Sequence, residues 1–132
     1  MTAQIVRAYY DAFNAGDYPA MLGLLTNDVV HDVNQGEREV GKDHFALFLS
    51  RMNDAYREQI GDLVVMSDES GTRFAAEFSV SGTYQKGEPG FPAARGQRYT
   101  LPAGAFFEVR DGKIARVSTF YNLNEWLRQV GG

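Results

Sequence analysis

The chain changes character once, near residue 60. Before that point apolar residues recur at helical spacing around one short strand. From Asp62 to Tyr121 they fall into long β segments. Helices first and strands afterwards predict an α+β fold with a mostly antiparallel sheet. At 132 residues the chain makes one domain, residues 1–132, since domains commonly run to about 100 to 150 residues.

Ile5, Tyr9 and Phe13 recur at i, i+4 and i+8, with Val6 and Tyr10 on an adjoining stripe, which predicts a helix from about Thr2 to Ala15. Gly16 suits the left-handed position after its last turn. Asp17 can cap a second helix whose first turn admits Pro19. Met21, Leu22, Leu24 and Leu25 give that helix its buried side, and Thr26-Asn27-Asp28 stops it. A strand is expected over Val29–Asn34 and a third helix after Gly41, carrying Phe45, Phe48, Leu49, Met52 and Tyr56. Four β segments follow, roughly Leu63–Ser67, Thr72–Gln85, Gln97–Val109 and Ile114–Tyr121, with Asp111-Gly112 as the hairpin turn between the last two. Pro102 and Gly104 interrupt the third, as bends or bulges do where a sheet curls. A curled sheet with helices over its hollow side makes a cone. The segment Lys86–Gly96, with two prolines and three glycines, is a mobile loop that can hang over the open end.

Composition narrows the chemistry. Hydrophobic residues make up 44% and aromatic residues 13%, enough for a core and a lined cavity. The absence of cysteine excludes disulfides, a thiolate nucleophile and sulfur-bound zinc. With 13 basic residues scattered among 17 acidic ones and a net charge of −4, no basic field attracts nucleic acid. No apolar run approaches the roughly 20 residues of a membrane span, and no export signal is visible at the start, so a cytoplasmic protein is expected. His31 and His44 are the only histidines and lack metal-ligand spacing, so neither metal nor cofactor is expected.

The stretch AYYDAFNAGDYPAMLGLLTNDVVHDVNQGEREVGKDHFALFL, Ala8 to Leu49, resembles the opening of ketosteroid isomerase-related and SnoaL-like proteins of the nuclear transport factor 2-like superfamily. The far end, GAFFEVRDGKIARVSTFYNLNEW, resembles their terminal hairpin. The resemblance implies a cone-shaped sheet around three N-terminal helices, enclosing a cavity. It also implies chemistry in which a carboxylate moves a proton on an enone while a tyrosine and a protonated aspartic acid hold the dienolate oxygen. Counting back from Asp17 puts Tyr9 at the oxyanion tyrosine. Counting back from Gly41 puts Asp32 at the general base, given a one-residue deletion around Thr26–Asp28. The oxyanion aspartic acid position is Ala105, which donates nothing, so the chain departs from the two-donor site there.

Asp32 is the first candidate base, or else a solvent-facing acid paired with Arg38. His31 is its direct rival, because neighbouring strand residues face opposite sides and only one can enter the cavity. Tyr9 is either an oxyanion donor or a core tyrosine. Phe13, Val30, Tyr99, Phe107, Thr119 and Tyr121 are candidate pocket walls. Glu77 is a further pocket candidate, although the register that puts Phe74, Ala76, Phe78 and Val80 on one face leaves it on the other, toward solvent or a dimer surface. The expected function is that of a cofactor-free enzyme, of isomerase or cyclase type, moving a proton on a hydrophobic carbonyl compound. The alternatives are a non-catalytic ligand- or protein-binding module and a hydrolase or dehydratase of the same fold. A homodimer through the convex sheet face is expected as well.

Overall fold

A computed structural model describes residues 3–131. Helices α1 (Ala3–Ala15) and α2 (Tyr18–Gly23) precede strands β1 (Leu25–Asp32) and β2 (Arg38–Val40). Helix α3 (Lys42–Ala55) leads into β3 (Tyr56–Ser67), β4 (Arg73–Tyr84), β5 (Gln97–Arg110) and β6 (Lys113–Tyr121), and α4 (Leu123–Gly131) ends the chain. The strands form one curved sheet in the order β2-β1-β6-β5-β4-β3. Every neighbouring pair is antiparallel except β1 with β6, which run parallel. The α+β cone expected from the sequence is the fold observed.

The start of the first expected helix at Thr2 lies outside the described residues. Its buried stripe is centred on Val6, Tyr9 and Tyr10, with Ile5 and Phe13 at the margins. Gly16 takes the left-handed conformation with φ 70°. The Asp17 carboxylate then accepts from the Ala20 amide at 3.1 Å, capping α2. The Asp111-Gly112 turn has φ of 52° and 76°, as a tight hairpin between twisted strands requires.

Four expectations are corrected. Strand β1 begins at Leu25, because Thr26-Asn27-Asp28 crosses an irregularity in the pairing with β6 and needs no buried face. Strand β3 begins at Tyr56, whose polar run Arg57-Glu58-Gln59 alternates on a sheet edge, and a register shift separates Gly61 from Val64. The ladder through Pro102 and Gly104 is unbroken against Ser79 and Glu77, so neither residue marks a bulge. A fourth helix, α4, buries Trp126 and Val130 against Tyr84, Tyr99 and Leu101 in a second apolar cluster at one end of the cone. No described helix is long and apolar enough to cross a membrane.

Candidate functional site

Between the helices and the concave face of the sheet lies a cavity of about 560 Å3. Its walls are largely aromatic: Tyr9, Tyr10 and Phe13 from α1, Phe45 and Phe48 from α3, Phe78 from β4 and Trp126 from α4. The polar groups that reach it are few and come from different elements: His31, Asn34, Arg51, Glu58, Glu88, Thr119 and Tyr121. Such a wall keeps the local dielectric low, so each polar group acts more strongly than it would in water.

At one end stands His31. Period-two alternation on β1 puts Val29 and His31 on the inner face, leaving Val30 and Asp32 on the other. The imidazole is 4% exposed and packs against Phe45 and Phe48, with ring centroids 4.7 and 4.5 Å away. Burial lowers its pKa and Arg51 adds to that, while Glu39 and Asp32 oppose it. The net direction is downward, so the ring is neutral near pH 7. Tyr9 lines the same cavity. Burial alone pushes its pKa upward, so its hydroxyl remains a proton donor.

At the other end is a carboxyl that sequence reasoning missed. Glu58 accepts from the Tyr99 hydroxyl at 2.7 Å, and burial raises its pKa against the opposing pull of that hydrogen bond. Gly82 makes this approach possible: a Cβ there would stand 2.6 Å from the Tyr99 Oη and 2.8 Å from the Glu58 Cγ. The signal was present as Tyr56-x-Glu58-x-Ile60, an acid in the inward register of an edge strand. Glu88, from the loop after β4, accepts from the Tyr56 hydroxyl at 2.6 Å and pairs with Arg51 at 3.5 Å.

Of the residues expected at the site, Tyr9, Phe13, His31, Thr119 and Tyr121 line the cavity together. The others are corrected. Asp32 turns to the outer face, where Arg38 donates to it at 2.6 and 3.1 Å, Ser118 donates to it, and the Arg116 guanidinium stands 3.6 Å away. The Arg38 hydrogen bonds, then Ser118 and the two guanidinium charges, bring its pKa down to about 2, the opposite of what a base at neutral pH needs. Val30 shares that face. Glu77 is exposed on the outer side of β4, as the register of Phe74, Ala76 and Phe78 requires. Phe107 is fully buried behind Tyr9 and Tyr10, 5.6 and 5.9 Å from their rings, as core rather than wall. Tyr99 belongs to the second cluster and acts on the cavity through Glu58. Ala105 is buried between Ala76 and Thr119 in the sheet and brings no donor.

The loop over residues 86–96 borders the cavity through Glu88, Pro89 and Phe91. Its ends are tied by the Lys86 amide to the Ala55 carbonyl at 3.2 Å and by the Gly96 amide to the Tyr84 carbonyl at 3.0 Å, and side chains hold the rest. The buried Tyr84 hydroxyl donates to the Pro92 carbonyl at 2.7 Å and accepts from the Glu88 amide at 3.1 Å.

This geometry has close counterparts. A candidate polyketide cyclase from Pseudomonas putida is 56% identical over 98% of both chains, with a TM-score of 0.97. Another from Xanthomonas campestris pv. campestris is 55% identical over 97% of this chain and 95% of its own, with a TM-score of 0.94. An LEH-like epoxide hydrolase from M. tuberculosis, 18% identical with a TM-score of 0.77 over 98% of this chain and 88% of its own, shares the fold alone. No curated protein sequence matches the chain. The SnoaL-like domain profile matches residues 6–117, and with most of its length inside that match the chain belongs to the SnoaL-like family.

Proposed function

We propose that the cavity binds a hydrophobic carbonyl compound of polyketide type and that His31, without a cofactor, moves a proton on it. The carrying observation is that one aromatic cavity receives a neutral, buried imidazole and an undissociated Tyr9 hydroxyl. The imidazole takes a proton from the carbon next to the carbonyl, and the Tyr9 hydroxyl hydrogen-bonds the enolate oxygen as charge develops there. The enolate carbon then attacks a second carbonyl of the same molecule, closing a ring, and the imidazolium returns its proton to the new alkoxide. Alternatively, the proton returns to a different carbon, and the result is an isomerisation. The candidate polyketide cyclases at 55% and 56% identity favour the first outcome. A second copy of the chain covers the outer face of the sheet, where Val64, Met66, Phe106 and Phe120 stand exposed.

The test is deuterium exchange from solvent into the acidic carbon of aromatic 1,3-dicarbonyl compounds, followed by NMR. The wild type should catalyse exchange and His31→Asn should not. A wild type that binds such compounds yet exchanges nothing would leave the cavity as a binding module.

A further inference from the structure

We propose that Glu39 is a positioning residue for His31: its carboxylate accepts a hydrogen bond from Nδ1–H and so fixes the imidazole in the tautomer whose bare Nε2 serves the cavity. The inference deepens the reading of His31 as the base and rests on it for its functional consequence, although its physical claim does not.

His31 and Glu39 are directly opposed in the antiparallel pair of β1 with β2, and opposed residues in such a pair project from the same face. Two atoms on that face lack partners among the described residues, His31 Nδ1 and Glu39 Oε1, both buried from solvent. They face each other at 4.0 Å. That is about 1 Å beyond a hydrogen bond. Buried polar atoms are seldom left alone, and here one proton satisfies both. Glu39 has room to close the gap. Its strand is three residues long at the edge of the sheet, and its side chain is 35% exposed.

The phenylalanines on α3 close the alternatives. Phe45 and Phe48 pack on the imidazole and offer no acceptor to Nδ1. A neutral imidazole carries one proton, so placing it on Nδ1 leaves Nε2, across the ring, as the bare acceptor that a base needs. The charged groups acting on His31 are Glu39 on β2 and Asp32 on β1, which favour the imidazolium, and Arg51 on α3, which disfavours it. Asp32 is engaged on the opposite face by Arg38, and Arg51 pairs with Glu88. Glu39 is therefore the group free to hold Nδ1.

The experiment is long-range proton-nitrogen NMR on 15N-labelled protein, with the exposed His44 as internal reference. It needs no substrate. The wild type should show His31 protonated on Nδ1. Glu39→Ala should lose that preference. Glu39→Gln, whose amide oxygen still accepts, should keep the tautomer while the His31 pKa falls for want of the negative charge. A wild-type ring protonated on Nε2 would overturn the proposal, and so would a tautomer and pKa unmoved in both variants. The exchange assay is read separately: Glu39→Ala should slow exchange without weakening binding. Loss of all exchange activity in the wild type would sink the function while leaving the pair standing.

Discussion

His31 and Asp32 are adjacent on β1 and point in opposite directions, the imidazole into the aromatic cavity and the carboxylate to the outer face, where Arg38 holds it at 2.6 Å. One residue of register decides which of the two faces the cavity. A carboxylate held near pKa 2 by Arg38 is too weak a base to take a carbon-bound proton at neutral pH, whereas the buried neutral imidazole is not.

The two substitutions should therefore separate. His31→Asn should lower solvent-exchange catalysis by about a hundredfold or more, with thermal stability little changed. Asp32→Asn should leave catalysis intact and cost on the order of 1–2 kcal/mol at pH 7, since it strips Arg38 of its carboxylate and leaves Arg116 with Glu108 alone. The folded pKa of Asp32 lies below its ordinary value of 3.8, so the folded state binds fewer protons between the two. Its contribution is present above about pH 4 and fades as pH falls through about 2, where wild type and Asp32→Asn should converge in denaturant melts. Equal stability at pH 7 would overturn this assignment.

Glu58 should show the opposite sign. Its folded pKa is raised by burial, so the folded state holds the proton more tightly and stability falls as pH rises through that value. Glu58→Gln keeps an acceptor for Tyr99 and removes the charge. It should match the wild type at pH 4 and equal or exceed it at pH 8 in melts followed by circular dichroism. Gly82→Ala should cost about 1–3 kcal/mol at either pH, because its Cβ displaces the Tyr99 hydroxyl.

Tyr84 ties the loop over residues 86–96 through two backbone contacts, at Glu88 and Pro92. Tyr84→Phe removes both and keeps the packing against Tyr56 and Trp126. Amide exchange at Glu88 and its loop neighbours should speed up roughly tenfold, since losing a buried hydrogen bond is worth about 1–3 kcal/mol. Strand β4 should keep its protection. Uniform acceleration across the sheet would mean that Tyr84 acts on global stability instead.

Fold class was legible because helical and period-two patterns occupy separate halves of the chain, and Gly16-Asp17 and Asp111-Gly112 punctuate them locally. The site was legible in part. Tyr9 follows from helical periodicity and from the count back from Asp17, and strand alternation made His31 the rival of Asp32. The count back from Gly41 put Asp32 first, whereas its pairing with Arg38, read as the alternative, is what the register of β1 with β2 brings about. Glu58 was hidden because Arg57, Glu58 and Gln59 read as a polar stretch. Only the pairing of β3 with β4 shows that Glu58 turns inward opposite Gly82. Helix α4 was hidden because its nine residues carry their burial on Trp126 and Val130.

The outer face of the sheet gives the last prediction. Phe106 on β5 and Phe120 on β6 touch edge to face at 5.7 Å while about half of each remains exposed, and Val64 and Met66 stand exposed on β3. Beside them opens a depression lined by Met66, Arg73, Phe106 and Arg116. Apolar side chains in such a patch, with Glu77 in the row between Val64 and Phe120 and Arg73 and Glu108 paired in a row beside it, are what one copy of the chain would bury against another. A C2 pairing uses the same patch twice, so one charge introduced at its centre is doubled across the interface. Phe106→Glu should convert a dimer to a monomer at micromolar concentration in sedimentation velocity, and the far-ultraviolet spectrum should stay unchanged because Phe106 adds nothing to the inner core. A polar substitution on the inner face, such as Phe78→Glu, should unfold the chain instead. A wild type that sediments as a monomer at the same concentration would refute the pairing.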